Sequence, residues 1–224
     1  MMPQQVRALR QSGSSPGFDM EINKTGFDNA LYIEKQSAEI LRRADRFGKL
    51  YMEVGGKLFQ DLHAERVLPG FDPDVKIRMM QNLGDRVEVV ICVHAGDVEH
   101  RKYRGDFGTT YDNEVLRLID EVRRWGIPVR AVVVTRFNPE MKAAAGFVGK
   151  LRHFGIKVVT HSLIPGYPEN PDMVLSEEGC GKNDFVETER PIVAVIGPGP
   201  SSGKFATCLN QVYHEFKRGR RAGY

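Results

Sequence analysis

A chain of 224 residues with 41% hydrophobic side chains holds enough apolar material for a core, which excludes a chain disordered throughout. Its formal charge of +3 is too small to demand a polyanionic partner. Three cysteines, Cys92, Cys180 and Cys208, without any Cys-x-x-Cys pair, argue against a disulfide framework or a zinc ribbon and fit a reducing cytoplasm.

Residues 1–17 carry Arg7 and Arg10 ahead of a Ser-Gly-Ser-Ser-Pro run and lack an apolar signal core, so they read as a flexible N-terminal tail. Residues 18–224 read as one α/β domain. Asn29 to Arg46 has helical periodicity through Leu31, Ile33, Ala38, Ile40 and Leu41, and Gly48 stops it. Lys49 to Val54 predicts a strand, Gly55-Gly56-Lys57 a turn, and Leu58 to Val67 a helix. After the Pro69-Gly70 break, Asp72-Pro73 predicts another helix, with aspartate as cap and proline at the first position, ending at Gly84.

Val87 to Val93 is almost continuously apolar, as a strand buried on both faces should be. His94 to about Tyr111 reads as a long polar loop, and Thr110 or Asp112 caps a helix over Asn113 to Trp125. Pro128 to Thr135 is a strand, Pro139 to Phe154 a helix, Ile156 to Thr160 a strand, and Met173 to Leu175 a short strand. Pro191 to Ile196 is the last strand and Gly203 to Lys217 the last helix, with Phe205, Leu209, Val212 and Phe216 in one stripe. This alternation predicts an α/β fold: a mainly parallel open sheet with helices on both faces, a Rossmann-like three-layer arrangement ending in a strand–Gly/Pro-rich loop–helix unit. No apolar run approaches the ~20 residues that cross a bilayer, so no membrane partner is expected.

The junction of that last unit points to a ligand. Gly197-Pro198-Gly199-Pro200-Ser201-Ser202-Gly203-Lys204 lies between an apolar strand and a helix, where main-chain N–H groups and the positive helix end can cradle a phosphate. It is not a standard P-loop. The first glycine of Gly-x-x-x-x-Gly-Lys-Ser/Thr falls on Pro198, and Phe205 stands where the magnesium-binding hydroxyl belongs. Thr207, two residues further, lies ~200° round the helix. Gly199, Ser201, Ser202, Gly203 and Lys204 therefore form a candidate phosphate cradle of another kind; the same turn also serves if its glycines only allow strand and helix to pack closely.

Other expected strand ends carry cations too: Lys57 after residues 49–54, Arg101, Lys102 and Arg104 after 87–93, and Lys182 after 173–175. Parallel strands would bring all of them to one edge, where open α/β sheets bind ligands. Glu53, Asp97, Asp106 and the Glu177–Glu178 pair are the nearby acids, the pair reading as a solvated turn more readily than a metal site. Cys180 reads as an unreactive thiol, since no base partner stands near it in sequence. The basic cluster Lys217, Arg218, Arg220 and Arg221 fits the dipole of a helix end, and nucleic-acid binding ranks below that.

Several strings resemble a bacterial family. They include Tyr51-Met52-Glu53-Val54-Gly55-Gly56-Lys57-Leu58-Phe59, His63-Ala64-Glu65-Arg66-Val67-Leu68-Pro69-Gly70-Phe71-Asp72-Pro73, Arg104-Gly105-Asp106-Phe107-Gly108, Gly181-Lys182-Asn183 and Ser202-Gly203-Lys204. From residue 17 to 224 the chain is similar to the uncharacterised family catalogued as domain of unknown function eighteen-forty-six. The resemblance implies a cytoplasmic, homo-oligomer-forming protein whose α/β front half resembles nucleotide-binding proteins, in an architecture that continues past the point matching Tyr224. It implies no established activity. Relatives usually carry glycine where this chain has Ser201, and often tyrosine where it has Cys180. The resulting expectation is a small phosphorylated ligand, a nucleotide with Mg²⁺, with phosphoryl or nucleotidyl transfer as the class of any chemistry. The alternative is a structural or oligomeric assembly protein in which residues 197–204 serve packing alone.

Overall fold

In the computed structural model, which describes residues 26–224, the apolar segments stand side by side as one parallel sheet. Its strands are β1 (Leu50–Glu53), β2 (Val87–His94), β5 (Val129–Thr135), β6 (Val158–Thr160) and β7 (Ile192–Ile196), in the order β1-β7-β2-β5-β6. A small antiparallel hairpin, β3 (Tyr103–Arg104) and β4 (Thr109–Thr110), stands apart. The helices are α1 (Asn29–Phe47), α2 (Leu62–Val67), α3 (Val75–Asn82), α4 (Ala95–Glu99), α5 (Tyr111–Arg124), α6 (Lys142–His153), α7 (Pro171–Val174) and α8 (Lys204–Lys217). The fold is thus α/β, with helices flanking both faces of the sheet. Residues 1–17 lie outside the described residues.

The last strand occupies the middle of the sheet. Ile192 stands in register with Leu50 on one side and Val87 on the other. Alternation of side chains along the strands then makes two cores. Val89, Ile91, Val93, Val132, Val134 and Ala194 pack with Ile77, Val115, Ile119 and Phe147 from α3, α5 and α6. Val90, Cys92, Val133, Val193 and Val195 point the other way, toward Cys208 of α8. Beyond α8, Gly223 forms a parallel bridge to the outer edge of β1 at Leu50.

Helix α8 docks through polar groups. Tyr51 donates its hydroxyl to Glu215 Oε1 at 2.8 Å, and Gln211 bonds both the N–H and the C=O of Val186 at 2.8 Å. Burial pushes the Tyr51 hydroxyl well above its ordinary pKa. Gln211 and Glu215 are fully covered, whereas the expected apolar stripe of the helix is covered only in part: Val212 packs against the second core, Leu209 is half-buried, and Phe216 is 77% exposed.

Local corrections have local causes. The helix expected from Asp72 starts at Val75, because the Asp72 carboxylate accepts the N–H of Asp74 at 2.9 Å and pairs with Arg78 at 2.8 Å. Residues 58–61 are irregular, and the expected helix covers only Leu62–Val67, capped by Asp61. The polar segment after β2 is α4 followed by the hairpin, not a plain loop. The strand expected at 173–175 is helical: Asn170 caps Met173 N at 3.1 Å, and Pro171 presets the first turn. Among the described residues no helix is long and apolar enough to cross a membrane.

Candidate functional site

The connections after β2 run over one face of the sheet, and α8 after β7 covers the other. The carboxyl ends of β7 and β2 therefore flank a topological switch point, the place where open α/β sheets bind ligands. Residues 197–203 fill its mouth. Gly197 lets the chain pass over β2, since a Cβ there would stand 2.8 Å from the Cys92 carbonyl oxygen. Gly203 sits at φ +88°, and a Cβ would meet Thr135 Cγ2 at 2.7 Å. Thr135 Oγ1 holds the loop by donating to the Ser202 carbonyl at 2.9 Å. Packing against β2 and β5 thus accounts for both glycines.

What packing leaves over is the amino end of α8. Gly203 offers no capping side chain, so among the described residues the N–H groups of the first turn have no side-chain acceptor. Lys204 forms no ion pair with any described residue. The Ser202 side chain is 1% exposed and packs over Gly197, and among the described residues its Oγ has no hydrogen-bond partner. Ser201 and Arg136 both hold left-handed backbone, at φ 57° and 51°. The Thr207 hydroxyl faces the sheet, against Cys92 Sγ at 3.3 Å, as the helical angle requires.

Two cavities flank the loop, and Lys204 lines both. One, of about 270 Å³, is walled by Glu53, Arg136, His161, Tyr167, Asn183 and residues 201–207. His161 bonds the Asp184 carbonyl through Nε2 at 2.9 Å, and burial lowers its pKa to about 4, so it is neutral at neutral pH. The other, of about 420 Å³, lies against α5 and the hairpin, with Lys57, Arg104, Arg117 and Lys204 facing Asp106 and Glu114. Lys57 and Arg104 share the Asp106 carboxylate, at 2.9 and 2.8 Å. Those pairings, that of Arg104 foremost, hold Asp106 well below the usual carboxylate range. Arg104 also bonds the Pro198 carbonyl, which ties the hairpin to the loop. Lys57, Arg104 and Arg117 all lie over the Phe107 ring, at 4.6–4.7 Å.

The expected cations thus divide. Lys57, Arg104, Gly199 and Lys204 line the larger cavity, and Ser201, Ser202, Gly203 and Lys204 the smaller. Lys102 pairs with Asp97 at 3.1 Å, and Arg101 faces α6; neither lines these cavities. Lys182 lies on a single 3₁₀ turn, not a strand end, because the strand before it is absent; it pairs with Glu178 at 3.3 Å. Glu177 is taken up by Lys217 at 2.6 Å, and among the described residues no cluster of three metal-ligating side chains forms. Burial raises the Cys180 thiol pKa, which opposes a reactive thiolate. Sequence reasoning missed Arg117, Arg136 and His161. Arg136 and His161 each follow a strand directly, and that position was the available signal.

Residues 25–224 match the family model described as "Domain of unknown function DUF1846, N-terminal". The chain is 56% identical to a UPF0371 protein of Clostridium botulinum (strain Eklund 17B / Type B) over 201 residues, 90% of this chain and 40% of that protein. UPF0371 proteins of Clostridioides difficile (strain 630) and Clostridium tetani (strain Massachusetts / E88) are 54% and 53% identical, with the same coverage. The chain spans about two fifths of the length of these curated relatives.

Proposed function

We propose that this chain, a member of the DUF1846 family, binds a small phosphorylated ligand, a nucleotide, at the amino end of α8. The observation that carries the reading is the uncapped start of α8 at the switch point, joined there by Lys204 and the buried, unpartnered Ser202 hydroxyl. A phosphate supplies acceptors for the N–H groups of the first turn and for Lys204. The polar cavity beside it has room for the remainder of the ligand, and Glu53 is the carboxylate there for a magnesium ion carried by the phosphates. The reaction class that suits such a ligand is phosphoryl or nucleotidyl transfer, in a cytoplasmic setting. Lys57 and Arg104 belong to the opposite cavity and act on the ligand through the field rather than as first contacts.

Calorimetric titration with ATP, GTP and NAD tests the reading. Removing a charged hydrogen bond of about 1.5–3 kcal/mol in Lys204→Ala weakens binding roughly 10- to 100-fold. Equal heats for wild type and variant, or no binding of any of the three, refute it.

A further inference from the structure

Helix α8 buries polar side chains beside Cys208 and leaves apolar ones on its outer side. A helix on the surface of a sheet normally buries its apolar stripe and shows water its polar one. Here Asn210, Gln211 and Glu215 are buried against the sheet side, while Phe205 and Phe216 are 41% and 77% exposed. Together with Leu175, 59% exposed, the outer residues Leu209, Val212 and Phe216 floor an apolar groove of about 510 Å³. Lys217, Arg220 and Arg221 form its rim. The opposite face of the sheet is covered by several packed helices, whereas on this face α8 is the one long helix among the described residues. A contiguous apolar patch rimmed by charge marks an interaction surface.

We infer that this groove is the seat of the part of the family's chain that has no counterpart in these 224 residues. The matched family model is the N-terminal one, and the clostridial relatives carry about three fifths of their length outside the match. In that arrangement α8 is a middle-layer helix. Glu215 and Gln211 on its polar side are met by Tyr51 and Val186, and its apolar side is covered by the rest of the family's chain, presenting apolar side chains edged by carboxylates. This inference stands on the exposed face of α8 and is independent of any ligand at its amino end.

The test compares one substitution in two settings. Phe216→Glu is made in the 224-residue chain, and in a full-length Clostridium tetani relative whose matching front segment is replaced by this chain. In the 224-residue chain the substitution leaves the thermal midpoint within about 2 °C, because Phe216 faces water. In the full-length protein it lowers the midpoint by roughly 5 °C or more, or splits the transition in two. Equal small shifts in both settings overturn the inference. So does a full-length chimera that fails to accumulate when the relative itself does. Light scattering supplies the remaining outcome: a dimer of the 224-residue chain that Phe216→Glu dissociates assigns the groove to self-association and overturns it as well.

Discussion

Gly203→Ala probes how the cradle is held. The new Cβ would stand 2.7 Å from Thr135 Cγ2 and 2.8 Å from its Oγ1, closer than non-bonded atoms come. Relief requires Thr135 to move, which breaks its 2.9 Å bond to the Ser202 carbonyl, a loss of about 1 kcal/mol. Overpacking at a buried site adds about 1–3 kcal/mol. A left-handed φ of +88° costs an alanine about 1 kcal/mol more than glycine. The total is about 3–5 kcal/mol, or roughly 6–20 °C in thermal midpoint for a domain of this size. Thr135→Ala removes Cγ2 and Oγ1 but keeps the Cβ, 2.9 Å from the new atom, so the double variant should recover only part of the loss, about 1 kcal/mol relative to the sum of the singles. Urea denaturation of the four proteins measures this. A Gly203→Ala cost below about 1 kcal/mol, or strict additivity, would show that the loop is not wedged between β2 and β5.

Two further outcomes follow from buried polar groups. Tyr51→Phe removes a hydroxyl bonded to the covered Glu215 and should cost about 1–3 kcal/mol in denaturant titration, whereas a neutral result would mean that α8 does not depend on this contact. His161 is held neutral with its pKa lowered to about 4, against about 6.5 when unfolded. Its contribution is complete above pH 6.5 and is lost as the pH falls from there to 4, up to about 3 kcal/mol. Compared with His161→Gln, the wild type should lose the extra stability over that window; parallel pH profiles would contradict it.

Much of this fold is legible because buried strands announce themselves. Val87–Val93 is apolar but for Glu88 and Ile192–Ile196 is so without interruption, and the turn at 197–203 is marked by its glycines and prolines. Their order in the sheet is not legible, since nothing local says that β7 inserts between β1 and β2. Short elements escape for another reason: α4 has five residues and β3 two, too few for a periodicity to show. Met173-Val174-Leu175 is apolar enough for a strand, and only the Asn170 cap with Pro171 reveals the helical turn. The stripe on α8 was legible as a stripe, but its direction was not, because what decides it is the Tyr51 hydroxyl and the Val186 backbone, distant in sequence. The candidate site divides the same way. Lys204 and its loop can be read from adjacent residues, while Arg136 and His161 join it only through the sheet.

Ligand contact at the start of α8 falls on one short stretch of backbone, and amide resonances report on it residue by residue. In a nitrogen-15 NMR titration with ATP, saturable shifts are expected to concentrate at residues 199–206, with Arg136 and His161 following, and to be lost in Lys204→Ala. Shifts confined to the basic cluster at Lys217–Arg221, or no saturable shift at residues 199–206, would contradict ligand contact there.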